Sequence, residues 1–572
     1  MKNIPIIHFN KKHKASFLWF FMIVLLISSC KKELDVKNPN DPTFGVNVAS
    51  EQGIADYAKG GVYWNGFNYG NGWLGDSYFS LPWGYRELMG DAIGGGQGSN
   101  NQTTTMGVPD DFIADLADAT TVFKNASPQA SSIIRSFNNS GATTNDNNAL
   151  IYQWRSMYSM INACNTVLER VGAISLSADK ANAVKAWAYW WKGFAYAEIG
   201  TLYYSGLIYD KSGAAGGVVS TYVGQADIIK ESDKNLNLAL TTLKSVSNQG
   251  DYLAMMSKLI PTQNQVGLGG APSTTQFANS INSLLARNIL LNKLAPFVNQ
   301  DPNASISKAS IPVMTAADWQ NVINFCTIGV QKGDNVFTGR TSASSSFFSA
   351  TGGSVAGMAA FSNQSTTYKI SERLVQSFKS GDARLANFST ANGTFYGDAN
   401  TNTTRYTLVD AADAGLSGFQ TYGTRTVGEL ELYIGPTYEE TQLMLAEAYI
   451  RTNKIEDGLK IIDAVRNYQG AGVAAVAGTG LTLAQALNEL TMERYASLAL
   501  RGLSYYDARR WGWTYGTALG GGRYGATLIF NSTIYNNAKI NYNFMDYWDV
   551  PGDEVEKNPP ATGSAKVKNP NY

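Results

Sequence analysis

Apolar residues recur at helical spacing along much of the chain beyond about position 50. The clearest case is the segment 150–171, where large apolar residues follow one another at steps of four and three. The stripe consists of Leu150, Trp154, Met157, Ile161, Cys164, Leu168 and Val171. Such steps place the side chains on one face of a helix, so the pattern predicts a long amphipathic helix.

A second helix is predicted over about 178–203, after a short connection at 172–177. It is dense in aromatic residues, which at this density favour packing over ligand binding: Trp187, Trp190, Trp191, Phe194 and Tyr196. Similar patterns predict further helices at 225–246, 278–297 and 316–332.

A second helical pair is predicted towards the end of the chain. Thr437 and Glu440 have the spacing of a capping box, which marks a helix start. A break at 452–453 separates this helix from a partner that carries Ile455, Leu459, Ile462 and Val465. This spacing resembles a tetratricopeptide hairpin.

A third pair is predicted to begin at Thr482, where Gln485 completes another capping box, and to run through Glu493 to Arg510.

Long polar and glycine-rich stretches separate the predicted helices, at 64–112, 205–224, 247–276, 333–368 and 386–432. Stretches of this length are unusual in a compact domain unless the loops are functional. The part from 408 to 433 allows short strands. The predicted fold class is therefore mainly α, with tetratricopeptide-like helical pairs, long loops and small β additions, in one domain over 50–572.

The first residues have the layout of a secretory signal. Residues 1–14 carry lysines and no acids, residues 17–27 are all apolar, and Ser28, Ser29 and Cys30 follow. The apolar run is shorter than the roughly 20 residues that a membrane-spanning helix needs. An ordinary cleaved signal would leave Cys30 as an incidental thiol. The order apolar-Ser-Ser-Cys resembles a bacterial lipobox and favours a signal peptide at 1–29, lipidation of Cys30 and a tether at 30–49.

Composition narrows the possible chemistry. Lys plus Arg and Asp plus Glu both number 45, and the absence of a long basic block argues against nucleic acid. The two histidines, His8 and His13, both lie in the predicted signal peptide. The mature chain would thus lack Ser-His-Asp and Cys-His sites and histidine-ligated metals. Cys164 and Cys326 lie in apolar stripes and are predicted to be core. We expect no catalytic residue and no cofactor, and we assign no metal-ligating residue; the sequence leaves open whether a calcium ion holds a loop.

Aromatic residues are concentrated between 63 and 98, interleaved with glycine and asparagine. Aromatic faces in loops can stack on sugar rings while polar groups bind the hydroxyls. From composition alone, Trp73 and Trp83 are the preferred ligand-binding residues, followed by Tyr69 and Tyr85. The alternative interpretation is that several of these rings fill core beneath a long loop.

Several short motifs follow the lipobox in a fixed order: Ser380-Gly381-Asp382-Ala383-Arg384, the segment 443–449, Glu493-Arg494, Arg509-Arg510-Trp511-Gly512, Trp548-Asp549-Val550-Pro551 and the final residues 568–572. Together they resemble the SusD/RagB family of outer-membrane nutrient-binding lipoproteins of Bacteroidetes. The resemblance covers nearly the whole mature chain and is firmest from about 437 to 572.

The resemblance implies binding rather than catalysis. Members bind oligosaccharides, or in some cases peptides, and deliver them to a SusC-like TonB-dependent transporter. It also implies lipid anchoring in the outer membrane, facing the cell exterior.

Within the Glu493-Arg494 helix the chain departs from the family pattern. Many members have Glu at the positions of Ser497 and Arg501, and Arg at that of Ser504. These positions are expected to belong to an internal ion network. Structural ion pairing is accordingly preferred over catalysis for Glu493, Arg494, Asp507 and Arg510.

Three alternatives remain open from the sequence. One is a peptide-binding lipoprotein of the same family. A second is a glycosidase that uses two carboxylates, since that chemistry needs no histidine. The third is a helical-repeat adaptor that binds a protein and no small ligand.

Overall fold

The computed structural model describes residues 48–64, 82–95, 111–115, 118–124, 149–295, 305–340, 368–390, 404–408, 431–542 and 544–572. Its α-helices are α1 (Glu51–Lys59), α2 (Gly84–Met89), α3 (Ala149–Arg170), α4 (Ala178–Leu202), α5 (Gly213–Gly216), α6 (Gln225–Lys244), α7 (Gln249–Leu259), α8 (Thr274–Leu291), α9 (Ala316–Thr327), α10 (Glu372–Gln376), α11 (Tyr438–Arg451), α12 (Ile455–Tyr468), α13 (Leu483–Ser497), α14 (Ser504–Arg510) and α15 (Gly552–Lys557). The predicted mainly α class is confirmed.

The strands are short apart from one hairpin: β1 (Ile93–Gly95), β2 (Asp111–Asp115), β3 (Asp118–Lys124), β4 (Ser205–Gly206), β5 (Val223–Gly224), β6 (Thr338–Arg340), β7 (Tyr368–Ile370), β8 (Phe388–Thr390), β9 (Tyr406–Leu408), β10 (Glu431–Tyr433), β11 (Arg523–Phe530) and β12 (Thr533–Asn541). Antiparallel pairs join β1 to β7, β4 to β5, β6 to β10 and β8 to β9, and one sheet has the order β11-β12-β2-β3. The small β additions are therefore confirmed.

The predicted pair α3 and α4 forms the centre of the core. The α3 stripe is buried except for the half-buried Leu168, and Trp187, Trp190 and Trp191 of α4 are fully buried. Helix α6 packs closely on α4 at Gly193, where a Cβ would meet Leu236 at 2.8 Å. The tryptophans therefore serve packing, as the sequence predicts.

The hairpin of α11 and α12 is also confirmed, with its turn at Thr452 and Asn453. The capping box predicted at its start is wrong. Thr437 occupies the N-cap position but makes no side-chain cap hydrogen bond. Its hydroxyl instead accepts a hydrogen bond from Arg501 at 3.0 Å, and Glu440 is paired with Arg287. Both groups are drawn to buried guanidinium groups, which bind more strongly than a backbone N–H.

The capping box at Thr482 and Gln485 is present. The predicted third pair is confirmed: α13 ends at Ser497, and α14 begins at Ser504 after a break. Within this break, Leu500 and Gly502 have positive φ values of 60° and 71°. That backbone conformation interrupts a helix.

Helix α7 lies in the stretch 247–276, which the sequence pattern treats as loop. Asn248 caps it by accepting hydrogen bonds from the backbone of Gly250 and Asp251. The hairpin of β11 and β12 is likewise not predicted. It turns at Asn531 and Ser532, both with positive φ, as a two-residue hairpin turn requires.

The predicted internal ion network is confirmed and lies in the core. Arg510 donates to Asp507 at 2.7 Å and to both carboxylate oxygens of Glu447 at 2.8 and 2.7 Å. Asp507 also pairs with Arg494. These groups are buried and mutually paired, which is how charges are tolerated in a protein interior.

Two of the residues that depart from the family pattern make buried polar contacts of their own. Ser497 accepts a hydrogen bond from Arg384 at 3.0 Å and donates one to Glu493. Arg501 pairs with Glu439.

Cys164 and Cys326 are fully buried thiols, as predicted, and burial raises the pKa of Cys164 to about 12. Among the described helices, none combines the length and the apolar character needed to cross a bilayer.

Candidate functional site

The structure describes two of the four aromatic residues predicted to bind ligand. Trp83 and Tyr85 lie at the start of α2, with 4% and 3% of their surfaces exposed. Tyr69, Trp73 and the predicted lipidation site Cys30 lie outside the described residues. The burial of Trp83 and Tyr85 agrees with the alternative in which part of the cluster fills core. The four-residue binding assignment itself stays a prediction.

Trp83 is held by the turn between α13 and α14. Gly502 has a φ of +71°, and a Cβ there would lie 2.7 Å from the indole ring. Only glycine combines this backbone conformation with so close an approach.

Gly502→Ala should therefore displace the Trp83 ring and destabilise the fold. A residue with a Cβ costs about 1–2 kcal/mol in this conformation, and overpacking adds about 1–3 kcal/mol. Urea unfolding followed by circular dichroism measures the effect. The matched control is Gly472→Ala, because Gly472 has a φ of +67° but no atom within 4 Å of an added Cβ. Equal losses in the two variants would contradict close packing of Trp83 on Gly502.

Trp83 lines a small recess together with the aromatic residues Phe194 and Tyr433. The recess has a cavity volume of 10 Å³, which is room for about one water molecule. The described residues of the recess thus leave no room for a sugar ring inside it.

The charges around this recess are paired. Arg287 donates to both oxygens of Glu440, each at 2.6 Å. Arg86 pairs with Glu198, and Arg501 lies 4.9 Å from the centre of the Tyr433 ring. Burial alone would raise the pKa of Glu440, but the nearby arginines, chiefly Arg287, together outweigh burial and hold that pKa below its usual value. These pairs tie the charged side chains of the recess to one another.

General acid catalysis needs a carboxyl group with a raised pKa. In the described part of the chain, such carboxyl groups are Glu87, with a pKa raised to about 7, and Asp233, with a pKa raised to about 6. Burial is the main cause in both cases, and neither residue lines the recess. The ranges that the structure describes also hold no cluster of three or more His, Cys, Asp or Glu residues suited to a metal ion.

The described residues therefore define a helical scaffold with a small recess whose charged side chains are paired. Two family models match the chain: "Starch-binding associating with outer membrane" over residues 108–266 and "SusD family" over residues 438–572. The chain belongs to the SusD/RagB family, which confirms the resemblance in the sequence. No curated protein matches it.

Solved structures share the fold at low sequence identity. Surface glycan-binding protein A from Bacteroides uniformis is 14% identical, with a TM-score of 0.53 and coverage of 90% of this chain and 98% of its own. A crystal structure with xylogluco-oligosaccharide is 13% identical, with a TM-score of 0.53 and coverage of 90% and 99%. A SusD superfamily protein from Bacteroides thetaiotaomicron is 14% identical, with a TM-score of 0.50 and coverage of 89% and 97%.

Proposed function

We propose that this protein binds oligosaccharides at the cell surface and delivers them to a SusC-like TonB-dependent transporter in the outer membrane. Lipidation of Cys30 anchors it, and the tether at 30–49 holds the binding domain away from the membrane. The observation that carries the proposal is family membership through both halves of the chain, one matching family being described as starch-binding at the outer membrane.

Two further observations support binding without turnover. The carboxylates at the recess are paired with arginines, which favours a structural role over proton transfer. Two solved structures with the same fold are described with glycans, one as a surface glycan-binding protein and one with a xylogluco-oligosaccharide. Their structural similarity supports a shared fold. Their sequence identities of 14% and 13% leave the particular glycan open.

The test is a binding screen of the chain lacking residues 1–30 against a panel of polysaccharides that includes starch and xyloglucan. We expect saturable binding of at least one, measured by affinity electrophoresis and calorimetry, with no products released. Trp73→Ala should weaken this binding about tenfold, the effect of about 1.4 kcal/mol. Trp83→Phe should weaken it less, because the aromatic ring is retained.

Trp319→Phe is the matched control for Trp83→Phe, since Trp319 is also buried, with 6% exposure. Unchanged affinity in both the Trp73 and Trp83 variants would remove these residues from the site and leave the binding function standing. Release of products from the bound glycan would instead favour the glycosidase. Failure of every polysaccharide, with binding of a peptide mixture, would favour the peptide-binding alternative.

A further inference from the structure

A second and larger pocket lies between α3, the connection 207–213 and α15. Its volume is 230 Å³, and it shares no lining residue with the recess at Trp83. Drug-sized ligands usually occupy pockets of about 300–1,000 Å³, so this pocket suits a single ring.

Three aromatic rings line this pocket at steep angles to one another. The rings of Trp154 and Tyr158 have centroids 4.6 Å apart and are inclined at 55°. Those of Tyr158 and Tyr209 are 5.8 Å apart and inclined at 78°. Tyr203 packs edge-on against Trp154 from the core side at 5.0 Å. The pocket therefore has fixed aromatic walls that face in more than one direction.

Side chains of the α3–α4 pair hold the connection 207–213 in place. The Tyr158 hydroxyl accepts from the backbone of Leu207 at 2.6 Å, and the Tyr196 hydroxyl accepts from that of Tyr209 at 2.8 Å. The Asn165 amide donates to the carbonyl oxygens of Tyr209 and Lys211 at 2.9 and 3.0 Å. The Tyr209 ring is thus positioned before any ligand binds, which lowers the entropic cost of binding.

Hydrogen-bond acceptors and hydrogen-bond donors both line the same pocket. One Glu554 oxygen accepts from the Trp154 indole at 3.2 Å, and the other accepts from Asn558 at 3.2 Å. Each carboxylate oxygen can accept a further hydrogen bond. The Asn162 oxygen accepts from the Gly213 backbone at 2.7 Å, which turns its amide group into the available donor. Lys211 adds an exposed ammonium group.

We propose that this pocket binds one neutral pyranose ring of a glycan. The hydroxyl groups of the sugar can donate to Glu554 and accept from Asn162 and Lys211, while the apolar face of the sugar lies on the Tyr209 ring. The single carboxylate and the single ammonium balance, which favours an uncharged ligand over an acidic or basic one. Sugar binding in this pocket needs neither the transporter partner nor the aromatic residues at 63–98.

The experiment uses the chain lacking residues 1–30 and a panel of glucose, galactose, mannose, xylose, arabinose and fucose, with glucuronic acid and glucosamine as charged probes. Saturation-transfer NMR and titration should detect binding of at least one neutral sugar at millimolar concentration. The protein should bind that sugar more tightly than either charged probe. Tyr209→Ala and Glu554→Gln should each weaken this binding at least fivefold. Tyr209→Phe should retain most of it, because the stacking face remains.

Two matched variants lie outside the pocket. Tyr449→Ala removes a similarly half-buried tyrosine on α11. Asp553→Asn neutralises the residue next to Glu554 in the chain; Asp553 pairs with Arg155. Both should leave the affinity unchanged. Circular dichroism verifies that each variant is folded. If Tyr209→Ala does not fold, the result for Glu554→Gln decides the outcome.

Failure of every neutral sugar to bind, or binding that survives both Tyr209→Ala and Glu554→Gln, would overturn the pocket assignment. The outcome is separable from the proposed function. Polysaccharide binding that persists in the pocket variants but is lost in Trp73→Ala would leave the function intact without this pocket. Monosaccharide binding here without any polysaccharide binding would do the reverse.

Discussion

Arg510→Met should lower the free energy of unfolding by about 3–5 kcal/mol, the usual cost of removing one partner of a buried ion pair. Arg510 has no exposed surface and binds both oxygens of Glu447 while also contacting Asp507. Methionine keeps much of the volume but leaves two buried carboxylates with fewer partners. Urea unfolding at neutral pH measures the loss.

A double-mutant cycle separates pairing from packing. Glu447→Leu alone should cost a similar amount, because it leaves Arg510 and Arg451 with one carboxylate fewer. The double variant Arg510→Met with Glu447→Leu should cost clearly less than the two single losses added together. The surface pair of Lys230 and Asp227 supplies the control, since Lys230→Met should cost no more than about 1 kcal/mol. Additive losses in the cycle would show that the buried pair is not coupled.

The sequence predicted best those elements whose signal is local and repeated. The α3 stripe extends over more than five turns, and the observed helix Ala149–Arg170 differs from the prediction by one residue at each end. The capping box at Thr482 also forms as predicted, because both of its partners lie within one turn.

Errors arose where distant residues compete for a local group. The Thr437 hydroxyl binds Arg501, which is 64 positions away in the chain. The spacing Thr437–Glu440 carries no information about that guanidinium. The sheet order β11-β12-β2-β3 is similarly non-local, since Asn541 pairs with Asp111. The hairpin turn at Asn531–Ser532 does carry a local signal, a polar pair between two β-branched and aromatic segments, that could have identified β11 and β12.

The sugar pocket inferred here could not be assembled from the sequence. Trp154 belongs to the predicted α3 stripe, and its burial, with 3% of its surface exposed, agrees with that interpretation. Its role in the pocket depends on Tyr209, in a stretch classed as loop, and on Glu554, close to the end of the chain. Only the folded chain brings these three residues together. The aromatic density that points to 63–98 identifies residues that are close in the sequence. It misses residues that come close only in the folded structure.

Glu87→Gln should remove a loss of stability that the natural protein undergoes as pH rises. Glu87 is fully buried, and burial raises the pKa of its carboxyl group to about 7 from a model-compound value of 4.5. A carboxyl group with a raised folded-state pKa contributes stability fully below about pH 4.5 and loses it as pH rises through about 7. Between about pH 5 and about pH 8.5 this amounts to roughly 2–3 kcal/mol. The glutamine variant should thus gain stability relative to the natural protein over that interval, as measured by urea unfolding at several pH values.

The geometry at Glu87 explains why glutamine should be tolerated. Its Oε1 accepts hydrogen bonds from the backbone of Leu503 and Ser504 at 3.0 and 3.4 Å, and an amide oxygen can accept the same two. Its Oε2 is buried without a hydrogen-bond partner among the described residues, which is where ionisation is most costly. Glu556→Gln, at an exposed position of α15, should follow the natural protein at every pH. Parallel pH profiles for Glu87→Gln and the natural protein would mean that Glu87 does not titrate near neutral pH.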